Sequence, residues 1–76
     1  MPHVIVKLYA GRSDEQKQRI ADEVTKALMT AAGSSEGSIS VAIEDVAPSA
    51  WTASVYEPDI VAKPETIFKK PGYAPA

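Results

Sequence analysis

The sequence predicts an α+β chain: a β-α-β unit with parallel strands and an ordered C-terminal extension, its sheet completed by oligomerisation. Three observations carry that reading. Two short runs alternate apolar and polar residues, one long run between them has a helical period, and the links are short. Strand, helix and strand in that order imply parallel strands with a right-handed crossover. The third observation is size. Seventy-six residues lie near the lower limit for an independent core, and no cysteine is present to reinforce one. Two strands and one helix leave strand edges and one sheet face open, so a partner chain is close to a physical requirement.

The first strand is predicted over residues 3–9. Val4, Val6 and Leu8 point one way, and His3, Ile5, Lys7 and Tyr9 the other. Ala10-Gly11-Arg12 breaks the run, with Gly11 as the turn residue. Ser13 and Gln16 then form a capping-box pattern, and Asp14 and Glu15 suit the positive end of a helix dipole. Ile20, Val24, Ala27, Leu28 and Ala31 share one helical face, and Gly33 is a C-terminal stop, which places the helix over 14–32. After the loop Ser34-Ser35-Glu36-Gly37, residues 38–46 alternate again. Ile39, Val41 and Ile43 lie on one face, Ser40, Ala42 and Glu44 on the other.

Residues 47–76 hold five of the six prolines, so only short helical turns fit, around 58–62 and 64–69, with Pro58 and Pro64 as first helical positions. Trp51, Val55, Tyr56, Ile60, Ile67, Phe68 and Tyr73 make this tail too apolar for a solvated linker. It reads as an extension covering a sheet face or a neighbouring subunit. The whole chain, 1–76, reads as one domain with a core at 2–51 and an extension at 52–76.

Composition narrows the function. A net charge of −2 gives no electrostatic case for nucleic acid or an anionic membrane. One histidine and no cysteine argue against a metal site, and nothing points to a cofactor. No stretch is apolar enough to span a bilayer and no leader is visible, so the expectation is a cytoplasmic protein. Pro2, one step ahead of a strand, is the most suggestive position. Removal of Met1 would expose a secondary amine held at a strand end, and a free α-amine titrates near ~8, suited to a general base.

Pro2 before a strand, Gly11-Arg12-Ser13-Asp14-Glu15-Gln16-Lys17 opening the long helix, a second strand and an aromatic at Trp51 together resemble the 4-oxalocrotonate tautomerase family over residues 2–51. The ending Phe68-Lys69-Lys70-Pro71-Gly72-Tyr73 is similar to a subgroup of small bacterial tautomerases that act on phenylpyruvate-like enols and assemble as dimers. The resemblance implies a tautomerase-like fold and an isomerase that interconverts enol and keto forms of a small 2-oxo acid without a cofactor. It implies Pro2 as general base, Arg12 as the holder of a substrate carboxylate, and Trp51 as an apolar wall. Where the type enzyme has a second arginine, this chain has Ser40, which offers one neutral hydrogen bond and no bidentate pair. That departure favours a monocarboxylate over a dicarboxylate. Ser40, a backbone N–H near 38–40 or a residue of the partner chain would serve the developing oxyanion.

His3 reads as a bystander, Lys69-Lys70 as a solvated pair, and Tyr56 and Tyr73 as packing residues rather than proton donors. Competing functions are a hydrolytic dehalogenase or decarboxylase on the same frame, or a non-catalytic oligomeric binding protein. For assembly a homodimer is favoured over the type enzyme's hexamer, because the tail is long and apolar enough to cover the free sheet face.

Overall fold

The computed structural model describes residues 1–75. Strand β1 runs His3–Tyr9, helix α1 Asp14–Ala32 and strand β2 Ser40–Val46. β1 and β2 form a two-stranded parallel sheet with His3 opposite Ser40 and Tyr9 opposite Val46. Side chains that face each other across such a pair share a sheet face. One face therefore carries Val4, Val6 and Leu8 with Val41, Ile43 and Asp45. The other carries His3, Ile5, Lys7 and Tyr9 with Ser40, Ala42, Glu44 and Val46.

Local chemistry explains the helix boundaries. Ser13 Oγ accepts the Gln16 N–H at 3.1 Å, and Gln16 Oε1 accepts the Ser13 N–H at 3.2 Å, which closes the capping box. Gly33 ends α1 in the left-handed region, φ 67°, where a Cβ would be strained. Gly11, at φ 125°, allows the turn between β1 and α1 in the same way. Along α1 the half-buried residues are Lys17, Ile20, Ala21, Val24, Thr25 and Leu28. Ala27 and Ala31, expected on the packed face, are exposed. They flank the stripe of three- and four-residue spacings rather than lying on it. Lys17 Nζ reaches Asp45 Oδ2 at 2.5 Å and ties the first turns of α1 to the end of β2.

β2 begins two residues later than the alternation suggests. Glu36–Ser38 form a 3₁₀ turn instead, with Ser38 Oγ donating to Ser35 O at 2.8 Å. Ser residues readily bond their own backbone in this way, in competition with a strand ladder.

The tail departs more from expectation. A 3₁₀ turn at Pro48–Ala50 leads into a π-helix over Thr52–Val61, where a short turn at 58–62 was expected. Pro58 lies inside this helix, not at its start. Proline has no N–H and its ring crowds the carbonyl of the preceding turn. The wider π-helical winding, seen where Ala62 N–H donates to Glu57 O at 2.9 Å, accommodates it. Pro64 does begin its turn, Pro64–Thr66, but Ile67 is already extended, so the second expected turn is shorter than 64–69. Lys7 Nζ on β1 and Asp59 Oδ2 on the π-helix, 2.5 Å apart, fasten the tail to the sheet face opposite α1.

That face is only partly covered. An open groove of about 870 Å³ remains between β1 and the tail, bordered by Ile5, Lys7, Val55 and Ile60. Among the described residues Val55, 5% exposed, is the one buried hydrophobic side chain. Ile5 is 50% exposed and Phe68 99% exposed. The other edge of β1 has no partner strand among the described residues.

Candidate active site

The structure sorts the four residues singled out in the sequence into two pairs. Pro2 and Ser40 lie at the beginning of the sheet. Ser40 N–H donates to Pro2 O at 3.2 Å, which anchors the residue ahead of β1 to the first residue of β2. Ser40 Oγ is 2.7 Å from His3 Nδ1, its partner across the strands. Ser40 is thus engaged with His3 within its own chain. Met1 precedes Pro2 and is fully exposed, and with Met1 attached the Pro2 nitrogen is an amide.

Arg12 and Trp51 lie at the other end. They line one open depression of about 320 Å³ together with Lys7, Leu8, Tyr9 and Tyr73. β1 sets Tyr9 at its last position, and the Gly11 turn brings Arg12 back beside it. Arg12 Nη1 approaches Tyr9 O at 3.4 Å. The 3₁₀ turn at Pro48–Ala50 delivers Trp51, whose ring meets Tyr9 edge-on at 5.2 Å between centroids and 83° between planes. Trp51 Nε1–H donates to Tyr73 Oη at 2.9 Å, and Tyr73 in turn packs on Tyr56 at 5.7 Å. A guanidinium at the rim of a three-ring wall suits an anion with a flat apolar body.

The two pairs do not meet within one chain. Pro2 precedes β1 and Arg12 follows it, and a strand of this length at ~3.3 Å per residue separates its ends by roughly 20 Å. A base at Pro2 and a carboxylate holder at Arg12 therefore need two chains to act on one small substrate.

Lys7, between the two ends, is raised above the ordinary lysine value of 10.5. The hydrogen bond that Lys7 donates to Asp59 is the main cause, opposed by desolvation and helped by the charges of Asp59 and Glu44. Lys7 is thus held as a cation by the tail and gives no sign of acting as a base.

The sequence did not single out Tyr9 as a site residue and placed Tyr73 among the packing residues. For Tyr9 a signal existed: the last position of a strand, three residues before the arginine. The Trp51–Tyr73 hydrogen bond joins residues 22 apart through irregular backbone, which no periodicity reveals.

The comparisons with known proteins agree with this frame. The family model described as "Tautomerase enzyme" matches residues 2–55. A protein of Xylella fastidiosa named "Probable tautomerase" is 44% identical over 73 residues, covering 96% of this chain and 89% of the relative. "Tautomerase PptA" of Cronobacter sakazakii is 39% identical over 74 residues, covering 96% and 97%. Among solved structures, YwhB, described as a homologue of 4-oxalocrotonate tautomerase, superposes with a TM-score of 0.59 at 43% identity over 60% of this chain and 75% of that one. TomN, a 4-oxalocrotonate tautomerase homologue of the tomaymycin biosynthetic pathway, gives 0.64 at 26% identity over 66% and 77%. With the matching family model and relatives, the β-α-β frame is that of a tautomerase-type isomerase. The chain belongs to the tautomerase family.

Proposed function

We propose that this isomerase catalyses enol–keto tautomerisation of a small monocarboxylic 2-oxo acid with an aromatic or alkenyl body, phenylenolpyruvate being the model substrate. The observation that carries the reading is the placement of Arg12 and Trp51 in one depression of a tautomerase-family chain. Arg12 takes the substrate carboxylate, and Trp51 walls the unsaturated body from water. The base is the Pro2 amine, freed by removal of Met1. It takes the enol hydroxyl proton, and the resulting ammonium returns a proton to the adjacent carbon, giving the keto acid with atoms in balance. A guanidinium nearby disfavours the protonated amine and keeps part of it basic at neutral pH.

The free edge of β1 supports a route by which Pro2 and Arg12 meet. Two copies related by a two-fold axis pair like edges antiparallel. Centred near Val6, such pairing sets Pro2 of one chain opposite Ala10 of the other, two residues from Arg12. Core and extension then work as one unit in a homodimer, with the tail on the remaining sheet face. The test is a spectrophotometric assay of phenylenolpyruvate ketonisation, with intact mass to establish loss of Met1. Native protein accelerates the reaction and Pro2→Ala does not. Equal rates for the two proteins would overturn the reading.

A further inference from the structure

Tyr73 offers more than packing. An indole Nε1–H can only donate, so in the 2.9 Å contact between Trp51 and Tyr73 the phenol oxygen is the acceptor. The Tyr73 hydroxyl keeps its own proton for another partner. Its side chain borders the same depression as the Arg12 guanidinium. The ring is located on two sides, by the Trp51 hydrogen bond and by Tyr56 at 5.7 Å. Trp51 is located in turn by the edge of Tyr9 at 5.2 Å. A phenol held in this way presents its free O–H in a restricted range of directions. Ser40 does not fill the same need within this chain, because its hydroxyl is paired with His3 at the opposite end of the sheet.

We propose that Tyr73 is a substrate-binding residue, its hydroxyl donating to one carboxylate oxygen of the ligand while Arg12 holds the other. The inference rests on the reading of the Arg12 depression as the carboxylate site. It makes the C-terminal tail part of the specificity machinery. One guanidinium and one neutral phenol suit a single carboxylate, and the flanking rings suit a planar substituent on it. Trp51 then acts twice, as a wall and as the donor that orients the Tyr73 hydroxyl.

The test uses the Met1-processed, assembled protein with two non-reacting probes, cinnamate and its uncharged amide, followed by chemical-shift titration. Phenylenolpyruvate kinetics accompany it. Tyr73→Phe keeps the ring and removes only the hydroxyl. It weakens cinnamate by about ten- to a hundredfold, the range of one hydrogen bond to a charged group, weakens the amide, which offers only a neutral carbonyl, by less, and raises KM while kcat stays within about twofold. Trp51→Phe weakens cinnamate in a Tyr73-dependent way, so that the double variant loses less than the sum of the two single losses. Circular dichroism and sedimentation establish that both variants are folded and assembled. Unchanged cinnamate affinity in Tyr73→Phe overturns the proposal, as does an equal loss for acid and amide. A fall in kcat at constant KM also overturns it, since that would place the hydroxyl on the reacting oxygen. Tyr73-dependent cinnamate binding by a protein that does not turn over the enol upholds the assignment of Tyr73 and refutes the proposed reaction. Absence of cinnamate binding by the native protein refutes Tyr73 as an anion donor.

Discussion

Lys7 Nζ and Asp59 Oδ2 meet at 2.5 Å across 52 residues of sequence, with side chains 29% and 31% exposed. The pair is the charged tie between the sheet and the π-helix that follows Trp51. Because the folded-state value of Lys7 is raised above 10.5, its contribution to stability is complete below that ordinary value and is lost as pH rises through the folded value. Lys17, raised mainly by the hydrogen bond it donates to Asp45, behaves with the same sign. The denaturant midpoint is therefore flat from neutral pH to about pH 10 and falls above it. Lys7→Gln lowers the plateau and flattens the alkaline fall. An alkaline limb of undiminished depth in Lys7→Gln would assign the loss to other groups.

The proposed base is the Pro2 nitrogen. A short amino-terminal extension that blocks the amine abolishes ketonisation while leaving the circular dichroism spectrum and the assembly unchanged. Full turnover by the extended protein would show that Pro2 is not the base.

Arg12→Ala removes one charge-assisted pair of roughly 1.5–3 kcal/mol. By rate arithmetic, kcat/KM for phenylenolpyruvate falls about ten- to a hundredfold. An enol substrate lacking the carboxylate is nearly indifferent to the change. Equal loss on both substrates would mark Arg12 as a structural residue of the β1–α1 turn.

The proposed assembly answers the thin interior, in which Val55 is the one buried hydrophobic side chain among the described residues. Sedimentation over a wide concentration range is expected to show a dimer that loses structure as it dissociates. A monomer that stays folded on dilution would contradict the burial argument. A hexamer would show that the tail does not cap the sheet.

Ser13→Ala opens the capping box and is expected to destabilise the chain by about 1 kcal/mol. Thermal melting at fixed protein concentration measures it. Ser13→Asp, which can still accept the Gln16 N–H, recovers most of the loss.

The β-α-β part of the chain was legible where local chemistry decides. The alternation of 3–9 and the capping box with Gly33 match β1 and α1 at both ends. The start of β2 was not, because the Ser35–Ser38 hydrogen bond competes with the ladder. The tail was read as broken at Pro58, since a proline inside a helix is disfavoured and the π-helical alternative has no sequence signature. At the site, Arg12 and Trp51 were recognisable from the motif around them. Their convergence, and the distance from Pro2, depend on which way β1 runs between its two ends. The Tyr73 contact with Trp51 was not legible, because that hydrogen bond is made through irregular backbone.

The roughly 20 Å between Pro2 and Arg12 along β1 has a genetic consequence. If each active centre draws its base from one polypeptide and its anion holder from the other, lesions in the two residues complement one another. Co-expressed Pro2→Ala and Arg12→Ala chains are each severely impaired alone, yet a mixed pair rebuilds one intact centre and concentrates both defects in the second. Random pairing of equal amounts then restores about a quarter of wild-type turnover. Inactive alleles of this small chain would thus be recessive to one another in a pattern that maps which end of the strand each one damages.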